Sequence, residues 1–482
     1  MKETLNSYVF SNADETIKKL TLAIRKAIDG SKFEGKVFLC GGTVRNLILG
    51  VENDGTYEIA VETYDGGVSF SKWITKKINK TKDQNNPTIN DEWGLGMFTL
   101  DIDDEIGEIT IEASQTMKMW PESTNIPIGQ LYGTLLEDAM TRDYTINAIY
   151  YDISADRILD KTNHGLFDLS SRVLRTVKAP GYAFKCSPIR MMRGIRFACN
   201  YKFSFERDTW LGMLKNSRFI EECEKRDIKS ELSKILLSDK PSLGLSRMFY
   251  SGLLKRVLPD VYGLNAEIES YTDGTTFLDH TFKVVDTVFP TIENRLSALM
   301  HDVGEPFNTS GVGHQDVDDF SADCAYEVLG DLGYGIKIRN KVVTAIQNHR
   351  FFMSYPDNLV PNSKKIKMFL ELCKGDYPMV LDLMNAENIC SKLNPRPKHV
   401  LHLIKKIEEV EKKMEAEAEK LSKDPLPVTG EDVMKSLKIK PGPIIGFIIK
   451  KVTKKFDKGE LADKVECLDY AGAVYEKYKD KF

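Results

Sequence analysis

Near residue 165 the hydrophobic pattern of this chain changes period, and that change limits what the chain can fold into. Before it, short apolar runs bounded by turn residues recur: KVFLC, TYEIAV, MFTLDI, EITIEA, and the pair YTINAIYYDI and RILD. Runs of this length and spacing predict strands. Residues 13–30 instead place Ile17, Leu20, Ile24 and Ile28 on one helical face, with Gly30 as the stop. The first 160 residues therefore predict a mixed α/β unit. Beyond residue 165 the strand signals fade, and SPIRMMRGIRFACNY, IKSELSKILLS and GLSRMFYSGLLKRVL carry helical spacing. A compositional break at 263–275, a charged helix over 398–424 and a second break at DPLPVTG subdivide the helical part.

Composition sets outer bounds. A chain of 482 residues exceeds one ordinary core, so several domains are expected. A net charge of −4 means that any basic surface must be a local patch. The eight cysteines include no CxxC pair, which argues against a zinc ribbon or disulfide framework and for free thiols in a reducing compartment. The N-terminal stretch is too polar for a signal peptide, and IIGFII is far short of a membrane span. A cytoplasmic protein without a membrane segment is expected.

LCGGTVRNLILG reads as a strand, a glycine turn and a helix. Gly41 and Gly42 let the backbone approach a phosphate and aim N–H groups at it, and Arg45 lies one turn further on. Transfer of a nucleotidyl group needs hard oxygen ligands for magnesium. Residues two apart on a strand face the same way, so an acidic-x-acidic strand presents two carboxylates together. The strand TYEIAV offers Glu58 but has Thr56 two positions earlier, with Asp54 two residues before that. Glu112 in EITIEAS is the best-placed third ligand.

The stretch LLEDAMTRDYTINAIYYD resembles the signature of tRNA nucleotidyltransferases and bacterial poly(A) polymerases, usually RRDFTINA. Arg142, Asp143, Thr145, Asn147 and Ala148 match, and Tyr144 replaces Phe. GLFDLSSRVLRTV and SPIRMMRGIRFA resemble later motifs of the same family, in the same order, so the likeness covers about residues 36–260. The resemblance implies that Gly41, Gly42 and Arg45 hold a triphosphate, that Asp143 meets the ribose hydroxyl with Arg142 beside it, and that Asn147 belongs to the same motif. It implies that Arg190 meets the base edge or the triphosphate. Arg190, Arg193 and Arg196 would otherwise form a basic helix face for RNA phosphates.

The sequence departs from the family at defined positions. Thr56 stands where the first metal-binding aspartate is usual, leaving Thr56 or Asp54 to complete the site. The base-reading Glu-Asp-x-x-Arg appears as Cys186-Ser187-Pro188-Ile189-Arg190, in which only the arginine survives. Thr141 replaces the first arginine of the ribose motif, and the family's ERIxxEL appears as Arg226 to Leu232.

Further on, His280 and the adjacent His301-Asp302 resemble an HD-type phosphohydrolase domain, with His314, His349 and Glu387 on the same pattern and Glu305 in place of lysine. Four of the seven histidines fall on it. The resemblance implies a divalent transition metal held by His280, His301, Asp302 and Glu387. The tail, with Pro441-Gly442-Pro443 and Gly446, resembles that of HD-containing tRNA nucleotidyltransferases. Lys450, Lys451, Lys454, Lys455 and Lys458 then form a basic run, read as a solvated face or a contact with the tRNA elbow.

The expectation is an elongated, multidomain protein: a nucleotidyltransferase head at 1–155, a helical neck and body at 156–265, an HD-type helical domain at 266–424 and a helical tail at 425–482. It would transfer CMP or AMP from CTP or ATP to the 3′ end of tRNA, with Mg2+ in the head. A poly(A) polymerase, an RNA-end phosphohydrolase with an inert head, and a noncatalytic tRNA-binding homologue are the alternatives.

Overall fold

The computed structural model describes residues 15–53, 55–79, 87–103, 105–118, 131–265, 275–307, 314–352, 361–391, 397–423 and 426–479. The chain divides into two compact units, 1–347 and 348–482.

The first unit begins with a mixed seven-stranded sheet. Its strands are β1 (Val37–Leu39), β2 (Thr56–Val61), β3 (Thr88–Asn90), β4 (Leu95–Asp101), β5 (Glu108–Gln115), β6 (Ile149–Asp152) and β7 (Arg157–Asp160), in the order β3-β4-β5-β2-β1-β6-β7. Only β2 and β5 run parallel; Thr56 faces Thr110 and Glu58 faces Glu112 across that pair. Strand alternation turns Tyr57, Ile59 and Ile111 to one face and Glu58, Ala60 and Glu112 to the other.

The first face is covered by α1 (Glu15–Ile28) and α3 (Gly66–Ile78). Their packing centres on aromatic rings: Phe70 lies 5.2 Å from Phe33 and 6.4 Å from Phe98, both edge-on, and 6.3 Å from Trp73. On the second face Phe38, Cys40, Ala60, Ala148 and Tyr150 pack with Leu135 and Ala139 of α4 (Leu135–Thr141). A capping box formed by Thr134 and Glu137 starts α4. The short helix α2 (Gly41–Leu49) includes the paired glycines, so GGTV is a helix N-terminus rather than a free turn.

Helices follow, as the change of period predicts. α5 (Gly165–Ser170), α6 (Pro180–Cys186), α7 (Arg190–Asn200), α8 (Arg207–Asn216), α9 (Lys225–Leu236), α10 (Pro241–Ser251), α11 (Leu253–Val257) and α12 (Pro259–Gly263) build the neck and body. One departure is a two-stranded parallel ladder, β8 (Val173–Leu174) with β9 (Ser204–Phe205), too short to leave a periodicity signal. α13 (Phe277–Thr287) packs on α10 and α14 (Ile292–Met300) on α9. That packing ties them, with α15 (His314–Asp331) and α16 (Ile336–Asn348), to the first unit. The border between the units thus falls inside the stretch 266–424.

In the second unit α17 (Ser363–Cys373), α18 (Tyr377–Cys390) and α19 (Pro397–Lys423) pack together. Val433 of α20 (Gly430–Leu437), Ile448 and Val452 of α21 (Pro443–Phe456) and Cys467 and Ala471 of α22 (Lys464–Tyr478) form its small apolar core. Gly446 is exposed, and among the described residues a Cβ there would meet nothing within 4 Å, so it does not serve close packing. No helix among the described residues is long and apolar enough to cross a membrane, and all eight cysteines are free thiols.

Phe70 is fully buried at the centre of the aromatic cluster, so Phe70→Ala should remove about 3–5 kcal/mol from the stability of the first unit. Urea unfolding followed by circular dichroism measures it, and a loss below about 1 kcal/mol would mean that this cluster does not seat α3.

Candidate functional site

The second face of the sheet, the N-terminus of α2 and the first turns of α7 enclose a cavity of about 740 Å³. Gly41, Gly42, Thr56, Glu58, Arg142, Asp143, Asn147, Ser187, Arg190 and Arg193 are among its lining residues. Residues up to 156 places apart in sequence meet here.

α2 is set against β2 by its own side chains. Thr43 Oγ1 accepts the backbone N–H of Glu58 at 2.8 Å, and Glu58 Oε2 accepts the N–H of Gly42 at 3.2 Å. Gly41 adopts a left-handed φ of 58°, and a Cβ there would lie 1.7 Å from Glu58 Oε2. The glycine is therefore required both by its backbone and by the carboxylate beside it. Glu58 and Glu112 stand side by side on parallel strands. Burial, followed by the charge of Glu58, pushes the Glu112 carboxyl above its ordinary range, with Arg142 opposing. Two repelling carboxylate groups on one face are a hard-oxygen set suited to a divalent cation. Thr56 lines the cavity two residues from Glu58 but brings only a hydroxyl. Asp54, the other candidate, lies outside the described residues.

The four arginines of the motif region have distinct partners. Arg142 donates from Nε and Nη2 to Asp138 Oδ2 at 3.2 and 3.0 Å, and Tyr150 donates to the same oxygen at 2.6 Å. Arg193 donates from Nε to Asp143 Oδ2 at 2.8 Å. Asp143 Oδ1 accepts from Asn147 Nδ2 and from the N–H of Tyr144 at 2.9 and 2.7 Å. Burial alone would raise the Asp143 carboxyl, but the Arg193 charge and these hydrogen bonds hold it well below the usual range. Arg196 pairs with Glu231 at 2.6 Å and lies over the Phe197 ring, so the Arg226 to Leu232 element serves to hold this helix. Arg190 donates from Nη2 to the Thr141 carbonyl at 2.5 Å.

Arg45 is buried, only 6% exposed. Its guanidinium donates to Asn46 Oδ1, to Asn147 Oδ1 at 2.8 Å and to the Tyr201 hydroxyl at 2.8 Å, with Phe197 and Tyr201 against its face. Burial, then the nearby Arg196 charge, lowers its pKa. Among the described residues Arg45, Arg190 and exposed Lys234, which also lines the cavity, have no ion pair with a carboxylate. Sequence reading missed Asp138, Tyr201, Glu231 and Lys234. Asp138 was the accessible one, because it lies one helical turn before Arg142; nothing local marks the others.

A second cluster lies in the same unit. His280 on α13 and His301 and Asp302 after α14 are buried and each brings a ligand atom within 4.8 Å of the others. His301 Nε2 lies 3.2 Å, and His280 Nε2 3.8 Å, from Asp302 Oδ2. His301 Nδ1 is 2.9 Å from the Ala298 carbonyl, which places its proton there and turns the Nε2 lone pair toward Asp302. The grouping of imidazole and carboxylate is a donor set that suits a metal ion. His314 begins α15, with its side chain outside the described residues. His349 and Glu387 are buried in the second unit. In the tail, Lys455 pairs with Glu460 and Lys451 lies over Phe447, whereas Lys450 and Lys454 are exposed.

A mixed sheet that offers carboxylates and a helix N-terminus to one cavity, roofed by an arginine-bearing helix, defines a nucleotidyltransferase-type head. Comparison with known proteins agrees. Residues 37–175 match the family model of the poly A polymerase head domain, and residues 202–264 match that of a probable RNA and SrmB-binding site of polymerase A. The mitochondrial CCA tRNA nucleotidyltransferase of Candida glabrata is 31% identical over 225 residues, 43% of this chain and 40% of that protein. The CC-adding tRNA nucleotidyltransferase of Thermus thermophilus is 26% identical over 360 residues, 70% of this chain and 77% of that protein. The fold is that of the Thermotoga maritima CCA-adding enzyme solved with tRNA, at a TM-score of 0.58 and 17% identity over 97% of this chain and 98% of that one. Over its head and neck the chain is thus similar to CCA-adding enzymes and poly(A) polymerases.

Asp143 is 7% exposed and depends on Arg193, whose side chain keeps 39% of its surface in solvent. Arg193→Ala should therefore cost about 2 kcal/mol at neutral pH, at the low end for breaking a buried pair. Because the folded Asp143 pKa is depressed, this stabilisation is present above the unfolded value of about 4 and is lost progressively below it. Chemical unfolding of both proteins from pH 7 to pH 3 should show the difference shrinking; a constant difference would mean that the ion pair is not its source.

Proposed function

We propose that the protein transfers CMP and AMP from CTP and ATP to the 3′ end of tRNA. The observation that carries this reading is the parallel register of β2 and β5, which sets Glu112 beside Glu58, a residue that lines the cavity. Support comes from Arg45, Arg190 and Lys234, which line the same cavity and, among the described residues, form no ion pair with a carboxylate. An anionic triphosphate fits among these acidic and basic groups when a divalent cation neutralises the acidic ones. Glu58 and Glu112 would hold the Mg2+, with Thr56 or Asp54 completing the set. The metal would supply charge neutralisation on the triphosphate and activation of the attacking hydroxyl.

The protein's own groups orient the reactants. N–H groups at the start of α2 meet phosphate oxygens, with Arg45 as a fixed positive charge behind them. Asp143, ionised and oriented by Arg193 and Asn147, accepts from the ribose hydroxyl, with Arg142 beside it. Arg190 meets the base edge. Lys450 and Lys454 offer backbone contacts to the tRNA elbow, joined by Lys451 and Lys455 once they leave their present partners.

Incubation with tRNA lacking CCA, Mg2+ and labelled CTP and ATP should add C, C and A. Glu58→Ala should slow this by about 100-fold or more, the loss of one metal ligand at the reacting phosphate. Tails of A alone would identify a poly(A) polymerase, and no incorporation by the wild type would overturn both and leave a tRNA-binding homologue.

The buried His280, His301 and Asp302 cluster favours a second activity: a divalent transition metal held there, hydrolysing phosphoesters at RNA ends. Phosphate release from an RNA ending in a 2′,3′-cyclic phosphate should depend on added Mn2+ or Ni2+ and disappear in His301→Ala. Release that survives His301→Ala would overturn this assignment.

A further inference from the structure

Three hydrogen bonds join residues 141–144 of the head to the first turns of α7. Two were met above: Arg190 to the Thr141 carbonyl, and Arg193 to the Asp143 carboxylate. The third runs the other way, from the Tyr144 hydroxyl to the Arg190 carbonyl at 2.7 Å. Tyr144 is fully buried, its ring edge-on to Phe197 at 6.0 Å. Its hydroxyl occupies a space that exists because residue 194 is glycine. A Cβ at Gly194 would lie 2.1 Å from the Tyr144 hydroxyl oxygen and 2.7 Å from its ring carbon Cζ. Glycine weakens a helix interior relative to alanine, so its presence in α7 calls for a compensating contact. A helical carbonyl has a second lone pair, and the tyrosine fills both the lone pair and the space.

We propose that Tyr144 and Gly194 form one interlocking joint, in which Tyr144 is a positioning residue that sets Arg190 and Arg193 at the nucleotide cavity. This rests on the reading of that cavity as the nucleotide site. Tyr144 does not line the cavity; it acts through the Arg190 carbonyl at the first turn of α7, one to three residues from Ile189, Pro188 and Ser187, which form the helix entry. Removing the hydroxyl frees that turn and leaves an unfilled space beside Gly194. Adding a methyl at Gly194 drives the tyrosine and α7 apart. Making both changes removes the 2.1 Å clash with the hydroxyl oxygen and leaves the 2.7 Å approach to the ring carbon, so the fit is restored in part.

The test is a double-mutant cycle on the full chain, read as dissociation constants for CTP and ATP with Mg2+ and as thermal midpoints. Tyr144→Phe should weaken binding about fivefold and Gly194→Ala about 30-fold, while the double variant should bind about tenfold more tightly than Gly194→Ala alone. On an Arg190→Ala background, Tyr144→Phe should weaken binding less than twofold, which a purely structural role would not produce. A double variant no better than Gly194→Ala, or wild-type affinity in Tyr144→Phe, overturns the joint. If the wild type binds neither CTP nor ATP, the nucleotide reading fails by itself. The joint then stands or falls on whether Tyr144→Phe restores the thermal midpoint lost in Gly194→Ala.

Discussion

Asp143 is the charge on which head and neck meet. One carboxylate oxygen is held by the head, through Asn147 and the Tyr144 N–H, and the other by Arg193 of α7. Asn147 in turn accepts from Arg45, so the negative group and the buried positive group share one amide. A buried carboxylate with fewer donors would protonate or pull water into the cavity. With these donors it stays ionised, and the helix that roofs the cavity cannot drift without exposing a charge.

The remaining electrostatics follow from which cations are already matched. Arg142, Arg193 and Arg196 each face a carboxylate: Asp138, Asp143 and Glu231. These pairs fix geometry and add little net charge. Arg45 is bonded to neutral oxygens only, in surroundings from which water is excluded, so its field reaches the cavity with little screening. The acidic side is equally sparse, with Glu58 beside Glu112 and a threonine where a third acid would be expected. The site thus sets Glu58 and the guanidinium groups of Arg45 and Arg142 around the backbone of Gly41 and Gly42.

Much of this was legible in the sequence because strand periodicity is strict. Once EITIEA and TYEIAV are strands, alternation puts Glu58 and Glu112 on one face whenever the strands pair in register, and they do. The motif order likewise brought Arg142, Asp143, Asn147 and Arg190 to one cavity. What could not be read was long-range. Tyr201 meets Arg45 across 156 positions and Glu231 meets Arg196 across 35, and neither pair leaves a periodic trace. The two-residue ladder of β8 and β9 was too short to see, and Gly446 proved a solvent-facing residue.

The strand order also has a consequence for how the chain is made. β1 lies between β2 and β6, so Phe38 pairs with Ala60 on one side and with Asp152 on the other. During synthesis the second edge of β1, a wholly apolar Val-Phe-Leu segment, stays unpaired until residue 152 has left the ribosome. Closing that contact bridges more than a hundred residues, an entropic cost that slows folding. The head therefore closes only once β6 has arrived, and the interval before that is when the nascent chain most needs shielding from its neighbours.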